Sequence, residues 1–346
     1  MQTRVCRLHA QGDIRIESID VAAPGPGEVR LRMGAGGICG SDLHYYQHGG
    51  FGPIRVQEPI ILGHEAAGTV EAVGPGVDLA IGTKVAVNPS RPCGECGYCQ
   101  EGKPQHCLQM RFRGSAMRFP HEQGLFRERL VVEAAQCVPV GAGTSLAKAA
   151  CAEPLAVCLH ARSRAGDLRG RRVLVTGAGP IGSLCVAAAA TGGAAEIVVT
   201  DLHDATLAAA MAMGATRAVN LSREAGAMDE FKADKGCFDV TFECSAAAPA
   251  IRTAIETTRP MGRIVQVGVT GDVAVPLNLI VSKEIELVGT HRFHPEFALA
   301  VRLIDEGRID PTPILTGDFP IEDARDAFEL AGDRSRAVKV QLTLAS

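Results

Sequence analysis

A glycine pattern at residues 177–182 constrains this chain more than any other feature. Gly177, Gly179 and Gly182 follow the apolar run Val173, Leu174 and Val175 and precede an alanine-rich stretch. G-x-G-x-x-G between a strand and a helix is the phosphate turn of a dinucleotide-binding βαβ unit. Gly177 permits the tight turn, Gly179 lets a pyrophosphate approach the backbone, and Gly182 allows helix and strand to pack closely. Pro180 stands in the first helical turn, where a missing N–H costs little, and Ile181 completes the turn. The helix N-terminus then faces the phosphates. The next apolar run ends at Asp201, roughly 20 residues on, where a carboxylate reads the adenosine ribose. It accepts bonds from both ribose hydroxyls and repels a 2′-phosphate, which favours NAD over NADP.

The texture around this motif sets the fold class, α/β. Residues 172–176, 196–200, 218–220, 238–243, 262–267 and 285–289 read as buried strands. Residues 180–191 and 204–213 read as helices between them, so a doubly wound parallel sheet is expected. Residues 295–306 and 321–330 read as further helices. Before about residue 150 the pattern is different. Residues 29–33, 66–73 and 84–87 read as short strands between Gly/Pro turns, and no long helical period is visible. Residues 337–344 alternate like a strand and are expected to pair back onto the first part. The 346 residues suit about two domains, here 1–150 with 291–346 and, between them, 151–290.

Twelve cysteines need an explanation. Cys93, Cys96, Cys99 and Cys107 crowd into one loop. Four thiolates so spaced close a tetrahedron around a structural zinc with no open position. Cys158, Cys185 and Cys244 stand alone in apolar contexts and read as core residues. A second set mixes sulfur, imidazole and carboxylate: Cys39, Ser41, Asp42 and His44, then His64 and Glu65, then Cys151 and Glu153. It suits a borderline-soft ion and is poorer in ligands, as a Lewis-acid site with an open position requires. Asp42 reads as a hydrogen-bonding support for His64.

Other classes are disfavoured. Lys+Arg 35 against Asp+Glu 39 gives a net charge of −4, so no general attraction to nucleic acid or an anionic membrane is expected. No apolar stretch approaches the roughly 18–20 residues of a membrane span. The first residues lack a signal-type apolar segment, and a cytoplasmic location is the default expectation.

These motifs together resemble the zinc-dependent medium-chain dehydrogenases of the alcohol/polyol family. The resemblance rests on residues 37–44, 63–68, 92–99, 152–157 and 176–182 and extends over the whole chain. It implies a GroES-like, mostly-β catalytic domain joined to a Rossmann NAD-binding domain, with the active site in the cleft between. Within that family the sorbitol dehydrogenase branch is nearest. There the catalytic zinc is held by Cys, His and Glu, which map onto Cys39, His64 and Glu65. Glu153 lies close by, holding the zinc water or itself ligating, where alcohol dehydrogenases have a cysteine. The longer segments 44–47, 87–90, 110–117, 119–121 and 331–334 resemble members that act at C5 of an aldonate. A neutral-polyol activity of sorbitol or xylitol type is the alternative. The branch also implies a homo-oligomer, dimer or tetramer.

In such chemistry Ser41 hydrogen-bonds the reacting oxygen and His44 passes the released proton outward. A sugar-acid substrate needs a cation for its carboxylate, and Arg111 and Arg292 are the candidates. Tyr45 and Phe112 are expected to line the pocket.

Overall fold

The computed structural model describes residues 1–223, 226–269 and 271–345. Its nucleotide-type half is a six-stranded parallel sheet. In spatial order the strands are Arg217–Asn220, Glu196–Asp201, Arg172–Thr176, Phe238–Glu243, Thr258–Gln266 and Glu286–Gly289. Val175 stands opposite Val199 on one side and Phe242 on the other. Both faces are covered by helices, so these strands are apolar throughout instead of alternating. The strand order reverses between Arg172–Thr176 and Phe238–Glu243: earlier strands are added on one side and later ones on the other. A crevice opens at the carboxyl ends of the strands at such a switch point. The helix Pro180–Thr191 lies close to the sheet because Ala187, Ala188 and Ala189 bury little more than a methyl group each.

The other half is built on a seven-stranded sheet. At its centre Glu28–Gly37 pairs antiparallel with Glu65–Val73 and, on the other side, with the C-terminal strand Lys339–Thr343. Gly37 faces Glu65 and Gln341 in register. The tail therefore does return to the first part of the chain. Leu315–Pro320 runs parallel beside it. A separate three-stranded antiparallel sheet, Asp13–Asp20, Gln2–Ala10 and Ile60–Ile61 in spatial order, was not visible in the sequence pattern.

No long helical period was visible before residue 150, yet a short helix forms there. Gly40–His48 is helical although it carries Gly, Ser, two Tyr and two His, all weak helix formers. Tertiary packing decides: Leu43, Tyr45 and Tyr46 are buried, and the Cys39 and Asp42 side chains close a capping box at its start. The helix Ala152–Ala165 was also unmarked. It packs against Pro180–Thr191 and Glu296–Asp305. One apolar cluster runs from Ala35, Ala67 and Ala86 of the first sheet through Leu155 and Leu159 to Val175 and Phe242. The two halves thus share a core beside the crevice. None of the described helices is long and apolar enough to cross a membrane.

Candidate functional site

Cys39 ends the excursion from the central strand and caps the helix Gly40–His48. Its backbone N–H donates to Asp42 Oδ2 at 3.0 Å, and Asp42 Oδ1 accepts the Gly63 N–H at 3.1 Å. Asp42 is fully buried and lies 3.7 Å from His64 Nδ1. It ties the Cys39 turn to the His64 turn through backbone N–H groups, while 3.7 Å is longer than the direct hydrogen bond to His64 that was expected. Gly63 has φ +91, and a Cβ there would sit 2.2 Å from the Phe126 ring. The sharp bend that delivers His64 thus needs glycine. Glu65 begins the next strand opposite Gly37, and a Cβ on Gly37 would strike Glu65 Oε2 at 2.3 Å.

The donor atoms of Cys39, His64 and Glu65 all lie within 4.8 Å of one another. Lys339, from the C-terminal strand, donates to Glu65 Oε1 at 2.7 Å and to the Ile38 carbonyl at 3.1 Å. Glu65 Oε2 is buried and lies 2.5 Å from Lys339 Nζ, so Lys339 pairs with both carboxylate oxygens. A thiol, an imidazole and a carboxylate whose donor atoms converge in this way fit a zinc ion. Glu153, expected as a possible fourth ligand, is not within that distance of all three. It sits in the first turn of Ala152–Ala165, where the helix axis and not a strand register sets its reach. Burial pushes its carboxyl up to about 7; Glu65 adds to this, while His64, Lys339 and Arg292 oppose it.

Cys93, Cys96, Cys99 and Cys107 form the second group. Cys96 and Cys99 sulfurs are 3.6 Å apart and Cys93 and Cys107 sulfurs 3.4 Å, far beyond a disulfide bond. The edge of a zinc–thiolate tetrahedron is about 3.8 Å, so the group fits. Backbone N–H groups of Cys93 and Gln109 point at Cys107 Sγ, as thiolates require. Cys107, Met110 and Phe112 form a small core under this lobe.

That core reaches the first metal set. Phe112 is buried, and its ring lies 5.5 Å from the His64 ring. The Arg292 guanidinium sits over the Phe112 ring, 4.7 Å from its centre. Arg292 follows the strand Glu286–Gly289 at the carboxyl edge of the sheet, with φ +53. A non-glycine residue there costs on the order of 1–3 kcal/mol and is held by its surroundings. Its charge interacts with Glu153 and Tyr45, and among the described residues no carboxylate is close enough to form an ion pair. Tyr45 is buried, and its hydroxyl accepts the Ala116 N–H at 3.3 Å.

Arg111 requires a correction. Its side chain is 55% exposed and pairs with Glu122. In the short strand Arg111–Phe112 neighbouring side chains take opposite faces, so Phe112 inside puts Arg111 outside. Ser41 is half-buried. His44 is exposed, with its ring 4.9 Å from that of Phe51. Two residues escaped the sequence reading. Lys339 left one signal, a lone charge inside the apolar run 337–340. Glu243 left none. It is fully buried at the switch point and accepts from Thr176 Oγ1, the Ser245 and Ala246 N–H groups and Gln266 Nε2.

The glycine turn fits a dinucleotide. Gly177 has φ +83, and a Cβ on Gly182 would lie 1.7 Å from the Gly177 carbonyl oxygen. Gly179 faces open space. Asp201 Oδ2 accepts the Ala178 N–H at 2.7 Å, while Oδ1 accepts those of Leu202 and His203. The carboxylate is thereby fixed against the phosphate turn.

Residues 25–142 match the alcohol dehydrogenase GroES-like domain, and residues 180–306 match the zinc-binding dehydrogenase family. The chain is 46% identical over 313 residues to the L-idonate 5-dehydrogenase (NAD(P)(+)) of Escherichia coli K12, covering 90% of each. It is 36% identical over 327 residues to human sorbitol dehydrogenase, covering 93% of this chain and 90% of that one. The crystal structure of Escherichia coli L-idonate 5-dehydrogenase superposes with a TM-score of 0.94 at 43% identity, over 99% of both chains.

Proposed function

The chain belongs to the zinc-binding dehydrogenases with an alcohol dehydrogenase GroES-like domain, and from that premise we propose that it moves a hydride between NAD and the C5 alcohol of L-idonate, giving 5-keto-D-gluconate when it oxidises. The observation that carries the acid substrate is Arg292, a guanidinium free of any carboxylate partner among the described residues and set against Phe112 beside His64. The proposal assigns residues 1–150 and 291–346 to the catalytic unit and 151–290 to the nucleotide unit.

Zinc held by Cys39, His64 and Glu65 would act as a Lewis acid on the alcohol and make its proton easier to remove. The nicotinamide would take the hydride. The remaining work falls to the chain. Glu153, whose carboxyl burial pushes up to about 7, is placed to exchange a proton near neutral pH. Ser41 orients the reacting hydroxyl, and His44, at the surface, hands the proton to water. Tyr45 and Phe112 exclude solvent from one wall. Arg292 pairs with the substrate carboxylate, a charge-assisted interaction worth roughly 1.5–3 kcal/mol. Asp201 binds the adenosine ribose and favours NAD.

A neutral-polyol reading is favoured by one fact: with Arg111 outside, Arg292 alone of the two candidate arginines stays beside His64 and Phe112, and a guanidinium also binds hydroxyls. A kinetic panel of L-idonate, D-gluconate, sorbitol and xylitol, each with NAD and NADP, separates the two. We expect the highest kcat/KM for L-idonate with NAD. A preference for sorbitol or xylitol would replace the aldonate reading, and a preference for NADP would overturn the role given to Asp201.

A homo-oligomer is part of the proposal. Glu286–Gly289 is an edge strand, and Leu287, Val281 and Met261 near it are 47%, 75% and 72% exposed. Such an edge is normally covered. A cytoplasmic location is proposed alongside.

A further inference from the structure

Met117 stands outside every role assigned above, although its side chain reaches the residue that carries the substrate reading. Among the described residues, the sole hydrogen-bond acceptor near the Arg292 guanidinium is Met117 Sδ, 3.8 Å from Nη2. A thioether is an uncharged and weak acceptor. The flat face of the same guanidinium lies over the Phe112 ring. Arg292 therefore meets a ring on one face and a soft sulfur at one edge.

The sulfur is delivered by a loop that is pinned at its base and exposed at its tip. Ser115 and Glu122 form an antiparallel bridge, in which the Gly114 N–H donates to the Glu122 carbonyl at 2.8 Å. Gly114 has φ +73 and packs on the bend that delivers His64: a Cβ there would lie 2.6 Å from the Gly63 carbonyl oxygen. The Ala116 N–H reaches the Tyr45 hydroxyl. At the far end His121 Nε2 accepts the Gln57 N–H at 2.9 Å, and the His121 N–H donates to Glu58 Oε1 at 2.6 Å. At the tip, Arg118 Nε turns away to the Met110 carbonyl at 3.4 Å, and Met117 is the side chain that meets Arg292.

An ion pair strengthens as water is removed around it, because the effective dielectric falls. A neutral hydroxyl in the same place gains less. A guanidinium open to solvent therefore separates a carboxylate from a hydroxymethyl poorly, and a shielded one separates them better. An unbranched thioether suits the shield. Its rotatable bonds let it shift along the guanidinium as an anion seats, while the loop base stays fixed.

We propose that Met117 is a positioning residue for substrate choice: it shields Arg292 from water and so raises the preference of the site for a sugar acid over a neutral polyol. This rests on the aldonate reading above and adds to it a residue that acts through Arg292.

Steady-state oxidation of L-idonate and of sorbitol with NAD tests this, using zinc-loaded wild type, Met117→Leu, Met117→Ala and Met117→Glu, and Met117→Ala combined with Arg292→Ala. The quantity read is the ratio of kcat/KM for L-idonate to that for sorbitol. Met117→Leu keeps an apolar cover and should stay within about twofold. Met117→Ala should lower the ratio about fivefold or more, with the loss in KM for L-idonate and a steeper weakening by added salt. Met117→Glu should lower it about tenfold or more, because its own carboxylate takes Arg292 from the substrate. Without Arg292, Met117→Ala should change the ratio by less than about twofold. Ratios within twofold of wild type in both Met117→Ala and Met117→Glu would overturn the assignment. So would an equal fall with Met117→Leu, since shielding needs no sulfur, or an undiminished fall in the absence of Arg292. A wild type that does not prefer L-idonate would sink the aldonate reading itself, an outcome read before any variant is compared.

Discussion

At the scale of single residues, side-chain direction separated the two arginines that composition made equivalent. Arg111 and Phe112 are neighbours in a two-residue strand, so only one can face the metal set, and the apolar Cys107–Met110–Phe112 core selected the phenylalanine. Arg292→Ala should therefore lower kcat/KM for L-idonate by about ten- to a hundredfold, with a smaller loss on sorbitol. Arg111→Ala, which removes an exposed ion pair, should stay within about twofold on both. The reverse ranking in steady-state kinetics would restore Arg111 to the site. Cys39, His64 and Asp201 were legible because their neighbours in the chain are motif residues. Lys339 was not, because its partner Glu65 is 274 positions away in sequence.

At the scale of elements, helices placed chemistry where strands held it. Glu296 begins the helix Glu296–Asp305 and accepts a hydrogen bond from His160 Nδ1 at 2.9 Å, which links this helix to Ala152–Ala165, the element carrying Glu153. Burial alone would raise the Glu296 carboxyl. The bonds from His160 and from the N–H groups of His294 and Glu296 overcome that and hold it at about 2. A lowered folded-state pKa stabilises the fold above the unfolded value of 4.5 and loses that stability as pH falls towards 2. Glu296→Gln should cost about 1–3 kcal/mol at pH 7 and nothing extra below the acid limb. Denaturant titrations of both proteins across the acid range check this: their stabilities should converge as pH falls. Curves that stay parallel would show that the pair contributes no pH-dependent stability. The helix Glu296–Asp305 was readable from its apolar face, whereas Ala152–Ala165 was not, since its small residues are buried on nearly every side and leave no polar stripe.

For the whole molecule, two metal groups of different build make separate contributions. The four-cysteine lobe is a closed site whose metal binding is coupled to local folding. The Cys39–His64–Glu65 set hangs on strands already fixed by the central sheet. Elemental analysis should find two zinc ions per chain. Cys96→Ser should lose one and lower Tm. His64→Ala should lose the other, stay folded and still bind NAD, with hydride transfer down by about a hundredfold or more. A single zinc in fully active wild type would refute the two-site reading. The linear sequence determined the glycine turn, the parallel sheet around it and both ligand groups. Each is a local pattern in which spacing itself constrains geometry, as with the cysteines between 93 and 107. Tertiary structure alone decided what depends on contact between distant segments. It brought the C-terminal strand beside residues 28–37, set Lys339 against Glu65 and turned Arg111 outward. Those outcomes depend on strand order, face and register, which no local pattern encodes, because a one-residue slip moves every side chain of a strand to the other face.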